Sequence, residues 1–157
     1  MENKWVKSIP LKIGYYISGF VDGEGSFNVC VYKTSEYRLG WRIEPVFNIS
    51  QRDRVILALI KNWLGCGTLR ERKDGVVYYE VRSLPSLTQK IIPFFDHFNF
   101  LSAPKKKNYS IFRQIVKKME NKNHLTEEGM KEVLLLREKL NEGRGRKRKY
   151  NICDIVN

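Results

Sequence analysis

The feature that most constrains the fold is a helix that passes directly into a strand, in the stretch YYISGFVDGEGSFNV, Tyr15 to Val29. Apolar residues recur at helical spacing from Leu11 to Val21, and Ile9-Pro10 marks the start, since proline is tolerated in a first turn. The following DGEG ends the helix. Because the helix dipole already makes this end negative, Asp22 and Glu24 lie where they cost free energy. We therefore expect something to compensate their charge.

Two segments after the acids, SFNVCVYK and WRIEPVFNISQ, alternate between apolar and polar residues, as half-buried strands do. The inward residues are predicted to be Phe27, Val29, Val31, Ile43, Phe47 and Ile49. The outward residues are predicted to be Asn28, Cys30, Tyr32, Arg42, Glu44, Asn48 and Ser50. Pro45 either weakens the second strand or marks a sheet edge, because proline cannot donate to a ladder.

The later segments predict further helices and a hairpin. DRVILALIKNWLG has helical periodicity, with Gly65 as its C-terminal stop. GTLRERKDGVVYYEVRS indicates two short strands around Lys73-Asp74-Gly75. LPSLTQKIIPFFDHF is predicted to be a helix that ends near Pro93, followed by a loop through APKKKNYS. A helix follows from about Tyr109 to Glu120, and Thr126 is the predicted N-cap of the last helix.

The order of elements indicates an α+β fold. Strand pairs interleaved with helices and joined by hairpin-length turns predict an antiparallel sheet backed by helices. The 157 residues show no internal repeat and suffice for one domain, which we place at residues 1–143. The basic run GRGRKRKY opens a tail, residues 144–157, that is predicted to be mobile in isolation. This tail either clamps phosphates or is simply disordered.

The charge of the chain favours a polyanionic partner. Lysine and arginine number 29 against 17 acids, which gives a net charge of +12. Such a field favours nucleic acid first, and an anionic membrane or an acidic protein second. The apolar stretches are all interrupted by charges or glycines, so we expect a soluble protein that does not bind membranes. The N-terminus has no apolar signal core, which predicts an intracellular location.

The cysteines and histidines indicate neither a zinc site nor histidine chemistry. Cys30, Cys66 and Cys153 lack the paired spacing of metal ligands, so we expect reduced thiols. His97 and His124 are far apart in the sequence, which makes a catalytic histidine pair improbable.

The outward face of the predicted sheet is suited to reading DNA. Arginine forks bind guanine edges, side-chain amides pair with adenine, and a β-ribbon fits the major groove. The alternative is an ordinary solvated face, which commonly carries mixed polar residues; the net charge favours nucleic acid. The candidate DNA-binding residues on this face are Asn28, Tyr32, Arg42, Glu44, Asn48, Arg70 and Arg72.

The nonapeptide ISGFVDGEG, Ile17 to Gly25, resembles the motif of LAGLIDADG homing endonucleases in its variant with glycine and glutamate near the end. The resemblance extends through FNISQRDRVILALIKNWLGCG, YYEVRSLPSLTQKIIPFFDHF and HLTEEGMKEVLLLREKLNEG, from about Ile13 to Gly143. It implies an αββαββα core whose saddle-shaped antiparallel sheet, backed by helices, sits astride DNA. This agrees with the order of elements predicted above.

The resemblance also implies a homodimer. In the family, the motif helix forms the interface between two αββαββα units, and chains with a single motif pair with a second copy. Small residues permit close helix packing, which makes Gly14, Ser18 and Gly19 candidate interface residues; alternatively, they fit the subunit's own core. Asp22 matches the first acid of the motif, which has a mainly structural role near the helix end and is grouped with the interface.

The catalytic assignments follow from the same resemblance. Glu24 matches the metal-ligating acid, and Gly23 would lend its backbone carbonyl to the ion. Mg²⁺ or another hard divalent cation would compensate the paired acids and assist hydrolysis. Gln51 matches a position that orders water. Lys105 matches a basic residue near the scissile phosphate; Lys107 is the alternative for that role and otherwise contacts DNA.

The predicted function is a Mg²⁺-dependent endonuclease that cuts both strands of a long, pseudo-palindromic DNA site. The resemblance implies short 3′ overhangs and promotion of intron mobility. The alternative is an RNA maturase acting on intron RNA, or a DNA-binding protein on the same fold that does not cleave. We expect the protein in a bacterial or archaeal cytoplasm or in an organelle.

Overall fold

A computed structural model describes residues 3–142 and 147–156 and confirms the predicted α+β fold. The strands are β1 Gly25–Lys33, β2 Trp41–Gln51, β3 Thr68–Glu71 and β4 Val77–Val81. The helices are α1 Lys4–Lys7, α2 Leu11–Glu24, α3 Arg54–Leu64, α4 Leu84–Ser86, α5 Ile92–His97, α6 Ala103–Glu120, α7 Glu127–Glu138 and α8 Ile152–Ile155. A π-helical turn, Leu87–Ile91, joins α4 to α5, and a 3₁₀ turn, Asn123–Leu125, precedes α7.

The four strands form one antiparallel sheet in the order β1-β2-β4-β3. One face packs against the helices around an aromatic centre in which Phe27 contacts both Phe47 and Phe95. All six residues predicted to point inward are buried. The helix α2 leads straight into β1 without a loop, so its carboxyl end lies at one end of the sheet. The register pairs Gly25 with Ile49 there.

Pro45 lies within a strand that is central only in part. The segment Phe47–Gln51 of β2 pairs with β4, whereas Pro45 lies before that segment, opposite Val29 of β1. Its missing N–H therefore removes no bond from the ladder between β2 and β4. The sheet edge indicated by this proline is limited to the part of β2 before Phe47, because β2 pairs with both β1 and β4 from Phe47 to Ile49.

The prediction that a helix ends near Pro93 is wrong, because the helix continues to His97. A proline inside a helix leaves the carbonyl four residues earlier without its donor. Here that carbonyl belongs to Gln89, and it accepts a hydrogen bond of 3.2 Å from the indole Nε1 of Trp5 in α1. The π-helical turn and this external donor together allow the chain to remain helical through the proline.

The loop predicted through APKKKNYS is also wrong, because α6 begins at Ala103. Ser102 is the N-cap, and its Oγ accepts from the backbone N–H of Lys105. Pro104 falls in the first turn, where a proline costs no hydrogen bond. Lys105 is consequently held on a helix and not on a loop.

The basic tail differs from its prediction where the structure describes it. The side chain of Arg148 donates to the carbonyls of Arg137 and Leu140 at the end of α7, at 2.6 Å each. The Tyr150 ring packs edge-on against Trp41, with ring centroids 4.9 Å apart. Residues 147–156 are therefore docked on the domain; the other predicted tail residues, 144–146 and 157, lie outside the described residues.

Candidate functional site: the carboxyl end of α2 and the outward face of the sheet

Asp22 is bonded on the inward side of the last turn of α2. Its carboxylate accepts from the backbone N–H groups of Leu101 and Ser102, at 3.3 and 3.1 Å, and from the hydroxyl of Ser102. Burial opposes ionisation, but these hydrogen bonds and the nearby charge of Lys105 outweigh it, so the pKa of Asp22 lies below its ordinary value. Asp22 thus ties α2 to the N-cap of α6, which is a structural role.

Glu24 and Gly23, in the same turn, are exposed. Within residues 3–142 and 147–156, no side chain hydrogen-bonds to or ion-pairs with the Glu24 carboxylate. Backbone carbonyls in the last turn of a helix lack partners within the helix, which leaves the Gly23 carbonyl available. No group of three or more His, Cys, Asp or Glu side chains in this part of the chain could hold a metal ion. A single subunit thus offers one unpaired carboxylate beside the negative end of a helix.

Lys105 lies at this same end of α2. Its Nζ donates to the carbonyl of Gly25, the residue that caps α2 and begins β1. Burial lowers the pKa of Lys105, and the negative charge of Asp22 offsets part of that effect. The ammonium group therefore lies beside the segment that carries Glu24, in a partly desolvated position.

Gln51 ends β2 at the same end of the sheet. It lies two residues beyond Ile49, the register partner of Gly25. Its Oε1 accepts from the backbone N–H of Arg52 at 2.8 Å, which fixes the orientation of the amide. The amide nitrogen donates no hydrogen bond within the described residues and can orient a water molecule.

The three small residues of α2 divide between two sides of the helix. A Cβ added at Gly14 would meet the Phe98 ring at 2.2 Å, and Ser18 is 2% exposed with its hydroxyl donating to the Phe98 carbonyl at 2.9 Å. The expectation that these two lie in an interface is corrected: they permit packing inside the subunit. Gly19 is exposed, and a Cβ added there would meet nothing within 4 Å.

All seven candidate DNA-binding residues of the predicted sheet lie on or beside the outward face. The register places Tyr32 opposite Arg42 and Asn48 opposite Glu80, while Arg70 faces Tyr78. Asn28 donates to Ser26 at 2.9 Å and accepts from Asn141 at 3.2 Å. Arg72, in the turn after β3, donates to the Tyr78 hydroxyl at 2.8 Å.

Ion pairs connect this face through Arg82, which the sequence reasoning missed. Its Nη1 donates to Glu44 at 2.7 Å and its Nε to Glu80 at 3.2 Å. Arg42 bonds the other oxygen of Glu44 at 2.6 Å, and Arg70 lies 3.8 Å from Glu80. The hydrogen bond to Glu80 is the first cause of a raised pKa of Arg82. Continuing the alternation of YYEVR by two residues beyond Glu80 would have placed Arg82 outward.

Lys107 lies apart from the carboxyl end of α2. Its ammonium pairs with Glu142 at 2.9 Å, and both side chains are largely exposed. The structure brings Lys105, rather than Lys107, to the helix end that carries Glu24.

The fold and this site together characterise the class of protein. A helix with acidic residues at its carboxyl end leads directly into a four-stranded antiparallel sheet whose polar face is open. The family model described as LAGLIDADG endonuclease matches residues 17–116. The chain therefore belongs to the LAGLIDADG endonuclease family.

The relatives agree with this membership. The chain is 35% identical over 145 residues to the "Probable intron-encoded endonuclease 2" of Neurospora crassa, with 90% of this chain and 32% of the relative covered. The chain thus spans about a third of the length of that relative.

Two solved structures share the fold, and the match covers a larger share of their length than of that relative's length. The archaeal intron-encoded homing endonuclease I-Vdi141I, complexed with DNA, matches with a TM-score of 0.84 and 32% identity over 92% of each chain. I-SmaMI bound to an uncleaved DNA target in the presence of calcium ions matches with a TM-score of 0.79 and 30% identity, over 85% of this chain and 46% of that one.

Proposed function

We propose that this protein is a site-specific endonuclease that cuts double-stranded DNA as a homodimer. The observation that carries the proposal is the exposed, unpaired Glu24 at the end of α2, with Lys105 beside it and an arginine-rich sheet face adjoining it. The DNA-bound state of I-Vdi141I, a relative of nearly equal coverage, supports duplex DNA as the substrate.

A hard divalent cation fits the residues present. Glu24 offers a carboxylate and Gly23 a backbone carbonyl, and oxygen donors of this kind suit Mg²⁺ or Ca²⁺. When bound, such an ion stabilises the leaving oxygen of a phosphodiester and lowers the pKa of a bound water. One subunit supplies too few ligands, which favours an ion shared with a second copy and the DNA. The calcium ions named with DNA-bound I-SmaMI support a divalent cation; we propose Mg²⁺ as the physiological ion.

The remaining side chains at the helix end orient the reaction. Lys105 is held beside the Gly25 carbonyl, and its positive charge stabilises negative charge that develops on the scissile phosphate. The free amide nitrogen of Gln51 holds a water molecule, because its oxygen is already bonded to the Arg52 N–H.

The outward side of α2 is the proposed dimer interface. Gly19 and Gly23 leave open space over two turns, while Tyr15 and Tyr16 are 58% and 52% exposed. Apolar rings bordering a glycine surface suit the close approach of a second helix. Pairing of two α2 helices would bring both copies of Glu24 together, and a two-fold assembly would read a pseudo-palindromic site. Cutting across the minor groove would leave short 3′ overhangs, and intron-encoded relatives support a role in intron mobility.

The outward face of the sheet is the proposed base-reading surface. Arg42 and Arg70 are free on one side to form guanine contacts, while Glu44 and Glu80 orient the arginines around them. Pre-ordered forks lose less side-chain freedom on binding. We place the protein in the compartment that contains its host intron. No helix in the described ranges is long and apolar enough to cross a bilayer.

The test is cleavage of a DNA duplex that joins the sequences flanking the reading frame, with and without Mg²⁺. Glu24→Gln should abolish cutting, because the ion loses its only charged ligand from each subunit, and duplex binding should persist. Asp22→Asn is the matched control, since it alters an acid two residues away that is bonded within the subunit. Cutting by Glu24→Gln at the wild-type rate would reject the mechanism, and binding without any cutting by the wild type would favour a non-cleaving protein.

A further inference from the structure

A groove on the β1 side of the sheet adjoins three of the candidate DNA-binding residues, and its opposite wall has no role assigned so far. It has a volume of about 1140 Å³ and lies between the outward face of β1 and the docked tail. Asn28, Tyr32 and Asn48 line it on the sheet side, and the segment Lys147–Asn151 lines it on the other. The groove therefore opens on the face proposed to read bases.

The tail segment is fixed to the domain at both of its inward side chains. Arg148 caps the last carbonyls of α7 and pairs with Glu138 at 3.2 Å. The backbone carbonyl of Tyr150 accepts from the Arg137 guanidinium at 2.9 Å, and its ring packs on Trp41. These contacts fix the position of the tail segment on the domain, which an unstructured basic tail would not require.

The residues that alternate with these anchors, Lys147 and Lys149, point the other way. Arg148 and Tyr150 are half-buried, whereas Lys147 and Lys149 are exposed, as expected for an extended chain with alternate sides. Neither lysine pairs with a carboxylate in the described part of the chain; the ammonium of Lys149 lies 5.3 Å from the Tyr150 ring. The tail thus presents two unneutralised ammonium groups along the groove.

The wall behind them is also positively charged. Arg137 is 5% exposed, and its Nε donates to the Val29 carbonyl at the open edge of β1 at 2.9 Å. Burial and the neighbouring charge of Arg148 lower the pKa of Arg137. The carboxylates that line the groove, Glu138 and Glu142, already pair with Arg148 and Lys107. This excess of cations favours an anionic ligand.

We propose that residues 147–151 form a backbone clamp, in which Lys147 and Lys149 contact phosphates of a DNA duplex lying on the outward face of the sheet. The clamp rests on the proposed function, since it needs a duplex on that face. A polyanion with regularly spaced charges suits ammonium groups two residues apart on an extended chain. Arg137 and Arg148 are positioning residues that hold the clamp against β1 and α7.

The first test measures the salt dependence of duplex binding. The double variant Lys147→Ala/Lys149→Ala should reduce the slope of log K against log salt by about 1.8 per subunit, because each lost phosphate contact contributes about 0.9. A mixed-sequence duplex suffices as the probe, since phosphate contacts carry no base preference. Lys117→Ala/Lys131→Ala is the matched control: it removes the same charge from exposed positions on α6 and α7 and should leave the slope unchanged.

The second test locates the contact directly. Acetylation of lysine amines, followed by mass spectrometry, should show Lys147 and Lys149 protected when the duplex is added, with Lys117 and Lys131 modified equally in both conditions. An unchanged slope in the clamp variant, or equal modification of Lys147 and Lys149 with and without DNA, would overturn the clamp and leave the endonuclease proposal standing. Failure of the wild type to bind duplex DNA at all would reject both.

Discussion

The two sides of α2 carry the same kinds of residue in opposite situations. On the inward side, Gly14 admits the Phe98 ring and the Asp22 carboxylate accepts three hydrogen bonds. On its exposed surface, Gly19 borders open space and Glu24 has no bonding partner in the described ranges. One glycine and one acid are thus packed or bonded within the subunit, whereas the other glycine and the other acid have no partner in it.

The difference separates residues bonded within the subunit from residues that have no partner in it. A bonded acid at a negative helix end is already compensated, whereas an unbonded one still costs free energy in the isolated subunit. The proposed cation and second helix would therefore act at the exposed positions. Each of the following predictions tests one member of this contrast.

The largest of these effects is expected at Lys105, which lies near the charge of Asp22 and donates to the carbonyl of Gly25, the residue after Glu24. Lys105→Met keeps the length of the side chain and removes its charge, so it should reduce the rate of DNA cutting by about 10²–10³-fold. Single-turnover cleavage with enzyme in excess measures the chemical step. Lys107→Met is the matched control and should cut at close to the wild-type rate, because Lys107 pairs with Glu142 instead. Equal losses in both variants would contradict the assignment.

Alanine substitution at Gly14 and at Gly19 should change the free energy of unfolding in opposite directions. Gly14→Ala places a Cβ against the buried Phe98 ring and should lower the free energy of unfolding by about 2 kcal/mol. Gly19→Ala meets no neighbour in the subunit and should raise it by up to about 1 kcal/mol when measured on the dissociated subunit at low protein concentration, because alanine favours the helix. Urea denaturation of each variant measures both changes. Equal tolerance at the two positions would remove the distinction between the sides.

Asp22 should contribute to stability in a pH-dependent way. Its pKa is lowered in the folded state, so the contribution is fully present above the ordinary value of 3.8 and is lost as the pH falls through the folded-state value. Asp22→Asn should cost about 1 kcal/mol at neutral pH, with a difference from wild type that shrinks on acidification. Thermal denaturation across this pH range checks the trend. A difference that grows at low pH would contradict the bonding described for Asp22.

The smallest effect is expected at Glu24 in the absence of divalent ions. Glu24→Gln should stabilise the protein by less than about 1 kcal/mol, because it removes a negative charge from the negative end of a helix. Glu44→Gln should destabilise the protein by a similar amount, since Glu44 pairs with Arg42 and Arg82. Melting temperatures in the presence of a chelator compare the two. Destabilisation by Glu24→Gln would imply a partner within the subunit.

The sequence predicts the strands and α3 well because their signals are local. Alternation identifies the inward residues of β1 and β2, and Asp53 and Gly65 bound α3 as N-cap and C-cap. Helix termini next to prolines are predicted poorly. Pro93 reads as a stop because its compensating donor, Trp5, is remote in the sequence, and Pro104 reads as a loop although it lies in a first turn.

The residues of the candidate site also divide into those that the sequence predicts and those that it does not. The positions of Glu24, Lys105 and Gln51 at one end of the sheet follow from the order of the elements and the resemblance. The role of Gly14 could not be inferred from spacing, because a small residue on a helix suits a neighbouring subunit and a nearby ring equally well. Arg82 was missed because no inward or outward positions were assigned to the strand that precedes it.

The bond from Trp5 to the Gln89 carbonyl has a consequence for how this chain can diverge. The indole replaces a donor that Pro93 removes, so the two positions depend on each other across most of the domain. In a chain with any other residue at position 93, the backbone N–H could donate to the Gln89 carbonyl, and the bond from Trp5 would no longer be needed. Loss of the indole would leave the Gln89 carbonyl with the longer side-chain bond from Asn3, at 3.5 Å.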